Sequence, residues 1–472
     1  AFEEAVSFLQ ENGKLIAPKG EYILTRRIVG FGISNVNIDM NNSKLIWKGG
    51  EEAGNGLYQG IFQFGGELSD VKTTLLVDEP EKTNTVTVVD SSIFSIGDYI
   101  LIQTPDGSPS TDPKDIYSRY FCQIIKIDGN TLYVNYRKRL GSKASLGVTV
   151  TKVNAAKNIN IKNLHVIAEN QESRQSGVNG VVLTYCDNVK VENVSFNKLW
   201  FKGVKTTYCT NIEVDRIYLN ESASHGGGEG YGVQFEYTHL SSIKSGRFND
   251  VRHGTDCTAS SHINVEDCIT TNGTGTSYTL HKAFEWHIKY KDCYSIDDAQ
   301  GGWSNSSVNS GFGDTADDIK LENCHAINAE LYGFSAVGKG SNFNLINSTF
   351  SVREGSTGNA VHVVQNDTNI VNCNMFGQLR VSNIVGANND GTVNVDNSVV
   401  NSQPNNRALS LINGVSINIA NSKVSGRSDI SANSKIISKN TIFKTESEAP
   451  LFTLLDSVDD GIEYIFDGGE IH

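Results

Sequence analysis

Apolar and polar residues alternate in short stretches along much of the chain, and one such stretch recurs. Its copies begin at Asn158, Asn188, Asn211, His262, His287 and Asp318, with a looser copy at Ser242-Ile243. The copies follow one another at intervals of 20 to 31 residues, which is typical of a solenoid. The period of two predicts a strand with one inward face in each copy, and no helical spacing accompanies it. The pattern therefore predicts an all-β protein, a right-handed parallel β-helix in which each copy is one strand of one coil.

The rhythm of the copies divides the chain into three parts. Residues 1–72 are predicted to hold an N-terminal cap and the first coils, and residues 141–472 the remaining coils. Residues 73–140 break the rhythm with paired strands around turns such as Asp128-Gly129-Asn130, which predicts a small β insertion. Within the first ten residues, Phe2, Ala5, Val6 and Leu9 share one helical face. We therefore expect a short capping helix over the open end of the stack.

Two short motifs resemble a known family. Ala17-Pro18-Lys19-Gly20-Glu21-Tyr22 follows the expected helix, as at the N-terminal edge of the pectate-lyase-like β-helices of bacteriophage tailspikes. Gly97-Asp98-Tyr99 and Gly129-Asn130-Thr131-Leu132 are similar to an insertion that many tailspikes carry. The resemblance implies a homotrimeric spike on the virion tail, outside the cell, that binds and cuts a bacterial surface polysaccharide such as capsule, O-antigen or teichoic acid. It implies no particular catalytic residue, because tailspikes share no catalytic motif.

Composition narrows the classes of partner and cofactor. The 472 residues carry a net charge of −13, which argues against a nucleic-acid partner, and no apolar run is long enough for membrane insertion. Cys268, Cys293 and Cys324 hold the same place in their copies, so we expect buried free thiols rather than disulfides. The sequence contains no metal-binding motif and indicates no cofactor.

A column of ionisable residues is the predicted catalytic site. Counting back seven positions from the aligned apolar residue of four copies gives Lys205, Glu236, Asp256 and His281, all on the outward face. With coils about 4.8 Å apart, Glu236 and Asp256 cannot both ionise without cost and can divide into general acid and base or nucleophile. The alternative is a solvated ladder in which Lys205 neutralises Glu236 and His281 neutralises Asp256.

Substrate-binding residues are expected around this column. The glycine-rich loop Ser224–Gly232 contributes Glu229 and Tyr231, and the nearby strands contribute Gln234 and His253. A later segment offers the carboxylates and indole on which a sugar could be held, namely Asp297, Asp298 and Trp303. Each group also has a structural interpretation: a surface loop, a bend and a turn, respectively.

Three functions remain open from the sequence. The first is a glycoside hydrolase acting through Glu236 and Asp256, whose expected spacing of about 5–5.5 Å suits retention but does not exclude inversion. A variant of it cleaves the phosphodiester of teichoic acid, with Lys205 and His281 facing phosphate. The second is a polysaccharide lyase with Lys205, His281 or His253 as base. The third is a spike that binds glycans without cleaving them.

Overall fold

A computed structural model describes most of the chain. The described residues are 13–49, 59–108, 110, 115–116, 118–169, 171–281, 284–305, 316–337, 340–364, 367–382, 391–403, 406–412, 414–431, 433–445, 451–454 and 463–471. The chain divides into two compact units. The first comprises residues 1–264 and 283–286, and the second comprises residues 265–282 and 287–472.

Parallel strands form the body of the first unit. For example, β12 pairs with both β4 and β14, and β15 pairs with both β13 and β16, always in parallel. The strands up to the unit boundary are β1 (Lys14–Ile16), β2 (Glu21–Leu24), β3 (Ile28–Phe31), β4 (Val36–Trp47), β5 (Gly60–Gly65), β6 (Glu67–Thr74), β7 (Thr83–Thr87), β8 (Tyr99–Gln103), β9 (Arg119–Asp128), β10 (Thr131–Lys138), β11 (Thr149–Asn154), β12 (Ala156–Ala168), β13 (Asn179–Thr184), β14 (Cys186–Asn197), β15 (Lys202–Asn220), β16 (Tyr231–Lys244), β17 (Arg247–Asn249), β18 (His253–Thr258) and β19 (Ser261–Glu266).

Asparagines bend the chain within the long strands β12 and β14. Asn158 and Asn188 both adopt a left-handed backbone, with φ values of 55° and 53°, which asparagine tolerates better than most residues. Nδ2 of Asn188 donates to Oδ1 of Asn158 at 2.6 Å, and Asn158 donates in turn to Asn35 at 2.7 Å. The recurring asparagines of the sequence therefore form hydrogen-bonded ladders that hold successive coils in register.

An antiparallel sheet interrupts the parallel stack. Six strands lie in the order β6-β11-β8-β9-β10-β7, and backbone hydrogen bonds from Leu76 to Thr87 and from Val89 to Thr74 join its two edges. The result is a small closed β-structure around a core of its own, with a short 3-10 turn at Ala144–Leu146 before its last strand. Its strands span Glu67–Asn154, so they begin and end outside the range 73–140 that the sequence suggested.

This insertion packs against turns of β14, β15 and β16. The ring of Tyr136 stacks on His239 with centroids 4.5 Å apart, and Phe121 contacts Tyr185 at 6.3 Å. The hydroxyl of Tyr99 donates to Asp187 at 2.6 Å. Phe284 also packs into the core of the insertion. The insertion is therefore fixed beside the face that carries Lys205 and Glu236.

The second unit is also a stack of parallel strands. Its strands are β20 (Ile269–Thr271), β21 (Thr276–His281), β22 (Trp286–Lys291), β23 (Tyr294–Ile296), β24 (Gly301–Asn305), β25 (Asp317–Glu322), β26 (His325–Ala329), β27 (Tyr332–Ala336), β28 (Ser341–Ile346), β29 (Thr349–Val352), β30 (Asn359–Val364), β31 (Thr368–Val371), β32 (Asn374–Phe376), β33 (Gln378–Ser382), β34 (Val393–Asp396), β35 (Val399–Asn401), β36 (Leu409–Ile412), β37 (Ser416–Ala420), β38 (Lys423–Ser425), β39 (Ser428–Ile430), β40 (Lys435–Lys444), β41 (Phe452–Leu454) and β42 (Glu463–Ile471), of which β22 begins within the first unit.

Several sequence expectations can be compared with this architecture. The parallel stacking of the repeated strands confirms the predicted β-helix. All eight cysteines are buried and free, as the stacked-thiol interpretation requires. The expected capping helix in residues 1–10 lies outside the described residues. Within the described ranges, no helix has both the length and the apolar character needed to cross a membrane.

Candidate functional site

The outward face of β13, β15, β16 and β18 carries two neighbouring rows of polar side chains. In the first row Lys205 pairs with Gln234, which pairs with Asp256. In the second row Thr207 pairs with Glu236, which pairs with Thr258. The residues between the rows point into the core, as the period of a strand requires; they are Thr206, Phe235 and Cys257.

The register corrects the column predicted from the sequence. Gln234, not Glu236, lies in the row of Lys205 and Asp256. Glu236 lies two residues further along β16, in the second row. The cause is at Ser241, which takes the place of the aligned apolar residue: its hydroxyl accepts a hydrogen bond from the backbone N–H of Ile212 at 2.9 Å. Ile243, on which that copy was aligned, pairs instead with Val214. Glu236 and Asp256 are therefore diagonal neighbours on adjacent strands.

Asp256 is the most enclosed acid of this face. Its carboxyl is fully buried, and its Oδ1 accepts hydrogen bonds from Nε2 of Gln234 at 3.1 Å and from Oγ1 of Thr258 at 2.9 Å. Both donors belong to the two polar rows, one beside Asp256 and one two residues after it. The sequence spacing thus builds the surroundings of this carboxyl from its own strand and the preceding one.

Glu236 is more open and lies beside a cation. Its side chain is 27% exposed, and its Oε2 is 3.5 Å from Nζ of Lys205, whose side chain is only 4% exposed. Oγ1 of Thr207 donates to the same oxygen at 3.4 Å. This face therefore combines a buried carboxyl, a carboxylate open to solvent and a buried ammonium.

Lys202 adds a second buried amine, which the sequence reasoning missed. Burial, reinforced by the positive charge of Lys205, lowers the pKa of Lys202 to about 7, although Asp256 and Glu236 act in the opposite direction. Its Nζ donates to the carbonyl of Gly228 at 2.6 Å and lies 5.1 Å from the centre of the Tyr231 ring. Lys202 directly follows Trp200-Phe201, and this aromatic pair was the signal in the sequence that could have indicated its burial.

The glycine-rich loop is held in place by charged residues. Glu229 accepts a hydrogen bond from Ser224 at 2.5 Å and pairs with Arg174 at 3.1 Å, while Arg252 donates to the carbonyl of Gly226 at 2.6 Å. Glu229 is itself buried. These contacts make Glu229 an anchor of the loop, and they support the loop as an ordered border of the polar rows.

Tyr231 and His253 are the first residues of β16 and β18, next to the glycine-rich loop. They pair across β16 and β18, and their rings meet edge to face with centroids 4.6 Å apart. Both residues are buried, and burial raises the pKa of the Tyr231 hydroxyl, with the charge of Asp256 adding to the effect. Tyr231 therefore packs over Lys202 rather than standing free on the surface.

A ladder of tyrosines borders the rows on the opposite side. Tyr185, Tyr208 and Tyr237 stack with ring centroids 5.3 Å and 5.0 Å apart, each at a turn with positive φ. Arg119 from the insertion donates to the hydroxyl of Tyr208 at 3.1 Å. The spacing of the three tyrosines, one per coil directly after the outward row, was the signal in the sequence that could have revealed this ladder.

The other predicted site residues belong to the second unit. His281 is half-buried and ends β21. Asp297 lies at a left-handed turn and accepts from Asn328 at 3.1 Å, as one rung of an asparagine-type ladder. The structure thus supports a structural role for Asp297.

Two of these residues correct the expectation of a sugar-stacking segment. Trp303 is 2% exposed and stacks on Tyr278 with centroids 4.6 Å apart, so the expected exposed indole is a core residue. Asp298 is fully buried and accepts hydrogen bonds from Ser277, Ser295 and the backbone of Gly273. Burial raises the pKa of Asp298 to about 6. The segment forms a turn that contains Asp298 and then a strand that contains Trp303, and both side chains point inward.

The described residues do not bring together three or more histidine, cysteine, aspartate or glutamate side chains in an arrangement that could hold a metal ion. The chemistry that this face can perform with its own side chains is proton transfer to and from a bound substrate by Glu236, Asp256 or Lys202, and electrostatic stabilisation by Lys205.

Comparisons with known proteins agree with this architecture. No family model matches the sequence. One curated relative, a depolymerase from Klebsiella phage K64-1 described as capsule K1-specific, is 26% identical over 282 residues, which cover 57% of this chain and 31% of the relative. The chain thus aligns with about a third of that relative's length.

Three solved tailspikes are similar in structure. The Gp54 tailspike of Acinetobacter baumannii bacteriophage AP22, solved with an A. baumannii capsular saccharide, superposes with a TM-score of 0.58 at 15% identity, covering 95% of this chain and 72% of that one. The tailspike gp49 of Pseudomonas phage LKA1 gives a TM-score of 0.55 at 13% identity, with coverage of 99% and 75%. The tailspike gp61 of Pseudomonas phage phi297 gives 0.54 at 12% identity, with coverage of 97% and 74%. This protein therefore has the parallel β-helix fold of bacteriophage tailspikes, as the resemblance in its sequence implied.

Proposed function

We propose that this protein is a depolymerase that binds a bacterial capsular polysaccharide and hydrolyses its glycosidic bonds. The observation that carries the proposal is the pair Glu236 and Asp256 on one outward face, with the buried ammonium of Lys205 beside Glu236. Glycosidases need two carboxyl groups on opposite sides of the bond that breaks. The capsule-specific depolymerase of Klebsiella phage K64-1 and the saccharide-bound tailspike of phage AP22 support the choice of substrate.

The diagonal placement separates the two acids further along the face than a single column would. Strands about 4.8 Å apart and an offset of two residues, about 6.6 Å, separate the two Cα atoms by about 8 Å. Inverting enzymes hold their carboxyl groups about 6.5–9.5 Å apart so that a water molecule fits between sugar and base, whereas retaining enzymes hold them about 5–5.5 Å apart. The side-chain rotamers of Glu236 and Asp256 decide which of the two spacings applies. The offset therefore replaces the closer spacing that a single column would have produced.

We assign the two roles from their surroundings. Glu236 is the more exposed of the two acids and lies 3.5 Å from Lys205, so we assign it the role of the base that activates water. Asp256, the more enclosed of the two acids, then acts as the acid that protonates the leaving oxygen, while Gln234 and Thr258 orient its carboxyl group. His281, predicted as a third member, remains a prediction from the sequence.

The test is depolymerisation of purified capsular polymers by Glu236→Gln and Asp256→Asn. Each variant should lose about 100-fold or more in kcat, because each removes one half of the acid–base pair. Glu213→Gln, which changes a carboxylate of β15 that pairs with Lys190, is the matched control and should retain activity. Near wild-type cleavage by either Glu236→Gln or Asp256→Asn would rule out this site.

A lyase is the second candidate, and the lowered pKa of Lys202 favours it. An amine with a pKa of about 7 is partly neutral at neutral pH and could take the proton that β-elimination removes from a uronate. Elimination leaves an unsaturated sugar that absorbs in the ultraviolet, whereas hydrolysis leaves a new reducing end without that absorbance. Binding without either product would instead indicate a spike that only recognises glycans.

The proposed setting is the tail of a phage particle, where the protein would act outside the cell as a homotrimer. The support is the shared fold with three phage tailspikes. Light scattering coupled to size-exclusion chromatography measures the mass in solution. A mass of a single 51.4 kDa chain would contradict the trimer.

A further inference from the structure

The second unit carries an outward row of polar residues that the proposed catalytic face does not include. Ser335, His362, Arg380, Ser410 and Asp429 pair in that order across β27, β30, β33, β36 and β39. Their neighbours along each strand point into the core: Val361, Val363, Leu379, Val381, Leu409, Leu411 and Ile430 are all at most 1% exposed. The row therefore points away from the interior of the coils; Ser335, Ser410 and Asp429 are nevertheless buried, and His362 and Arg380 are its partly exposed members.

Arg380 differs from the rest of this row because its guanidinium group is not fully paired. Its Nε is buried and has no hydrogen-bond partner, and the part of the chain that the structure describes offers it no carboxylate. Asp429, two strands away, is occupied by Arg407 and Arg427. The chain has 53 acidic and 40 basic residues, so a half-buried arginine without a carboxylate partner is unusual. A buried donor without a hydrogen-bond partner also costs about 1–3 kcal/mol of stability.

The side chains around Arg380 can accept or donate hydrogen bonds but do not neutralise it. Burial and the positive charge of Arg380 lower the pKa of His362 to about 4, so the ring is neutral at physiological pH. Nε2 of that ring is 3.1 Å from Oγ of Ser382, which lies two residues after Arg380. Ser410 faces Arg380 from the other side. The arrangement is a positive charge in a polar setting, which suits a planar anion from solution.

We propose that Arg380, with His362 and Ser410 on the adjoining strands, binds the carboxylate of an acidic sugar residue. The proposal deepens the proposed function, on which it rests, because it names the substrate class: a polysaccharide that carries carboxylates, as uronic acids do. A guanidinium pairs with a carboxylate through two parallel hydrogen bonds, so Arg380 selects for that group by geometry as well as by charge.

The first experiment uses D-glucuronate as the probe and D-glucose as its uncharged counterpart. Histidine side chains labelled with carbon-13 report the ring of His362, and the resonance is assigned with His362→Gln. Millimolar glucuronate should shift this resonance in the wild-type protein and should raise the pKa of His362, because a bound carboxylate offsets the charge of Arg380. Glucose should leave the resonance in place. Absence of a glucuronate shift, or an equal shift with glucose, would overturn the proposal.

Variants of the arginine complete the test. Arg380→Gln should abolish the glucuronate response, while Arg380→Lys, which keeps the charge but not the paired donors, should weaken it. Arg353→Gln, which alters an exposed arginine paired with Glu330, is the matched control and should respond as the wild type does. Thermal unfolding of each variant confirms that it is folded. A response that persists in folded Arg380→Gln would contradict the assignment.

A second arm separates this inference from the catalytic proposal. On an acidic polymer that the wild type cleaves, Arg380→Gln should raise KM about 10- to 100-fold with little change in kcat, and chemical reduction of the polymer's carboxylates should have a similar effect on the wild type. Unchanged KM in Arg380→Gln, with cleavage lost in Asp256→Asn, would refute only the Arg380 site. Raised KM in Arg380→Gln, with full cleavage by Asp256→Asn, would refute only the catalytic pair.

Discussion

Nε2 of Gln234 donates a hydrogen bond of 3.1 Å to Oδ1 of Asp256, directly across the paired strands β16 and β18. The side-chain amide therefore fixes the rotamer of a carboxyl that is fully buried. Neighbouring strands hold the two residues opposite each other, so the contact is rigid. A catalytic carboxyl group needs such a fixed orientation. Its removal should affect catalysis more than folding.

We expect Gln234→Ala to lower kcat about 10- to 100-fold, because Asp256 loses one of the donors that orient it. Steady-state cleavage of the capsular polymer gives kcat, and circular dichroism gives the unfolding temperature. Gln123→Ala, a change on β9 of the insertion that removes a side-chain amide donating to the carbonyl of Gly97, is the control and should have normal kcat. If Gln234→Ala cleaves as fast as the wild type, the hydrogen bond to Asp256 has no catalytic role.

Lys205 and Glu236 should be energetically coupled. The ammonium is nearly enclosed and the carboxylate partly so, with 3.5 Å between Nζ and Oε2. Removing one partner leaves a charge in a poorly hydrated place, so Lys205→Met and Glu236→Gln should each destabilise the fold by about 1–3 kcal/mol. The double variant should cost less than the sum of the two. Urea unfolding of the four proteins measures the coupling, and strictly additive values would argue against the ion pair.

The register of one coil decided how much of the site the sequence could predict. The alternation and the asparagines identified the parallel coils, because both follow from the geometry of strands and turns that each residue type can adopt. They also identified the outward face of Glu236 and Asp256. Placing both in one column failed, because Ser241 occupies a position where the other copies carry an apolar residue, and a shift of two residues preserves the alternation.

Burial of particular side chains was harder to foresee. The sequence pattern around Trp303 allows its side chain to face either the core or solvent. In the structure the side chain packs in the core, stacked on Tyr278. Lys202 and Arg380 were missed because their surroundings come from residues far apart in the chain: Gly228 and Tyr231 in one case, His362 and Ser410 in the other.

Trp303 should contribute to stability and not to glycan binding. Its ring stacks on Tyr278 and meets Phe350 edge to face, so Trp303→Ala should lower the free energy of unfolding by about 3–5 kcal/mol. Trp303→Phe keeps part of the packing and should lose less. Calorimetry with the capsular polymer should give the same affinity for folded Trp303→Phe and wild type. A marked loss of affinity in that variant would show that the indole touches the glycan after all.

Lys202 should make stability depend on pH above neutrality. Its folded pKa of about 7 lies below the value of about 10.4 that lysine has in an unfolded chain. Between these values the unfolded state binds the extra proton, so stability rises with pH and is lost as pH falls towards 7, by up to about 1.4 kcal/mol per pH unit. Lys202→Met removes this contribution and should flatten the dependence. The charged groups that influence the amine are Lys205, Asp256, Glu236 and Arg174.

The measurement is urea unfolding of wild type and Lys202→Met at pH 7, 8 and 9, with the difference in unfolding free energy plotted against pH. Lys244→Met, at an exposed lysine that ends the neighbouring strand β16, should give a difference that does not change with pH. A positive slope for Lys202 alone supports an amine that burial keeps neutral. Parallel curves for wild type and Lys202→Met would mean that the amine stays fully charged in the folded protein, and the case for Lys202 as the base of a lyase would then fall.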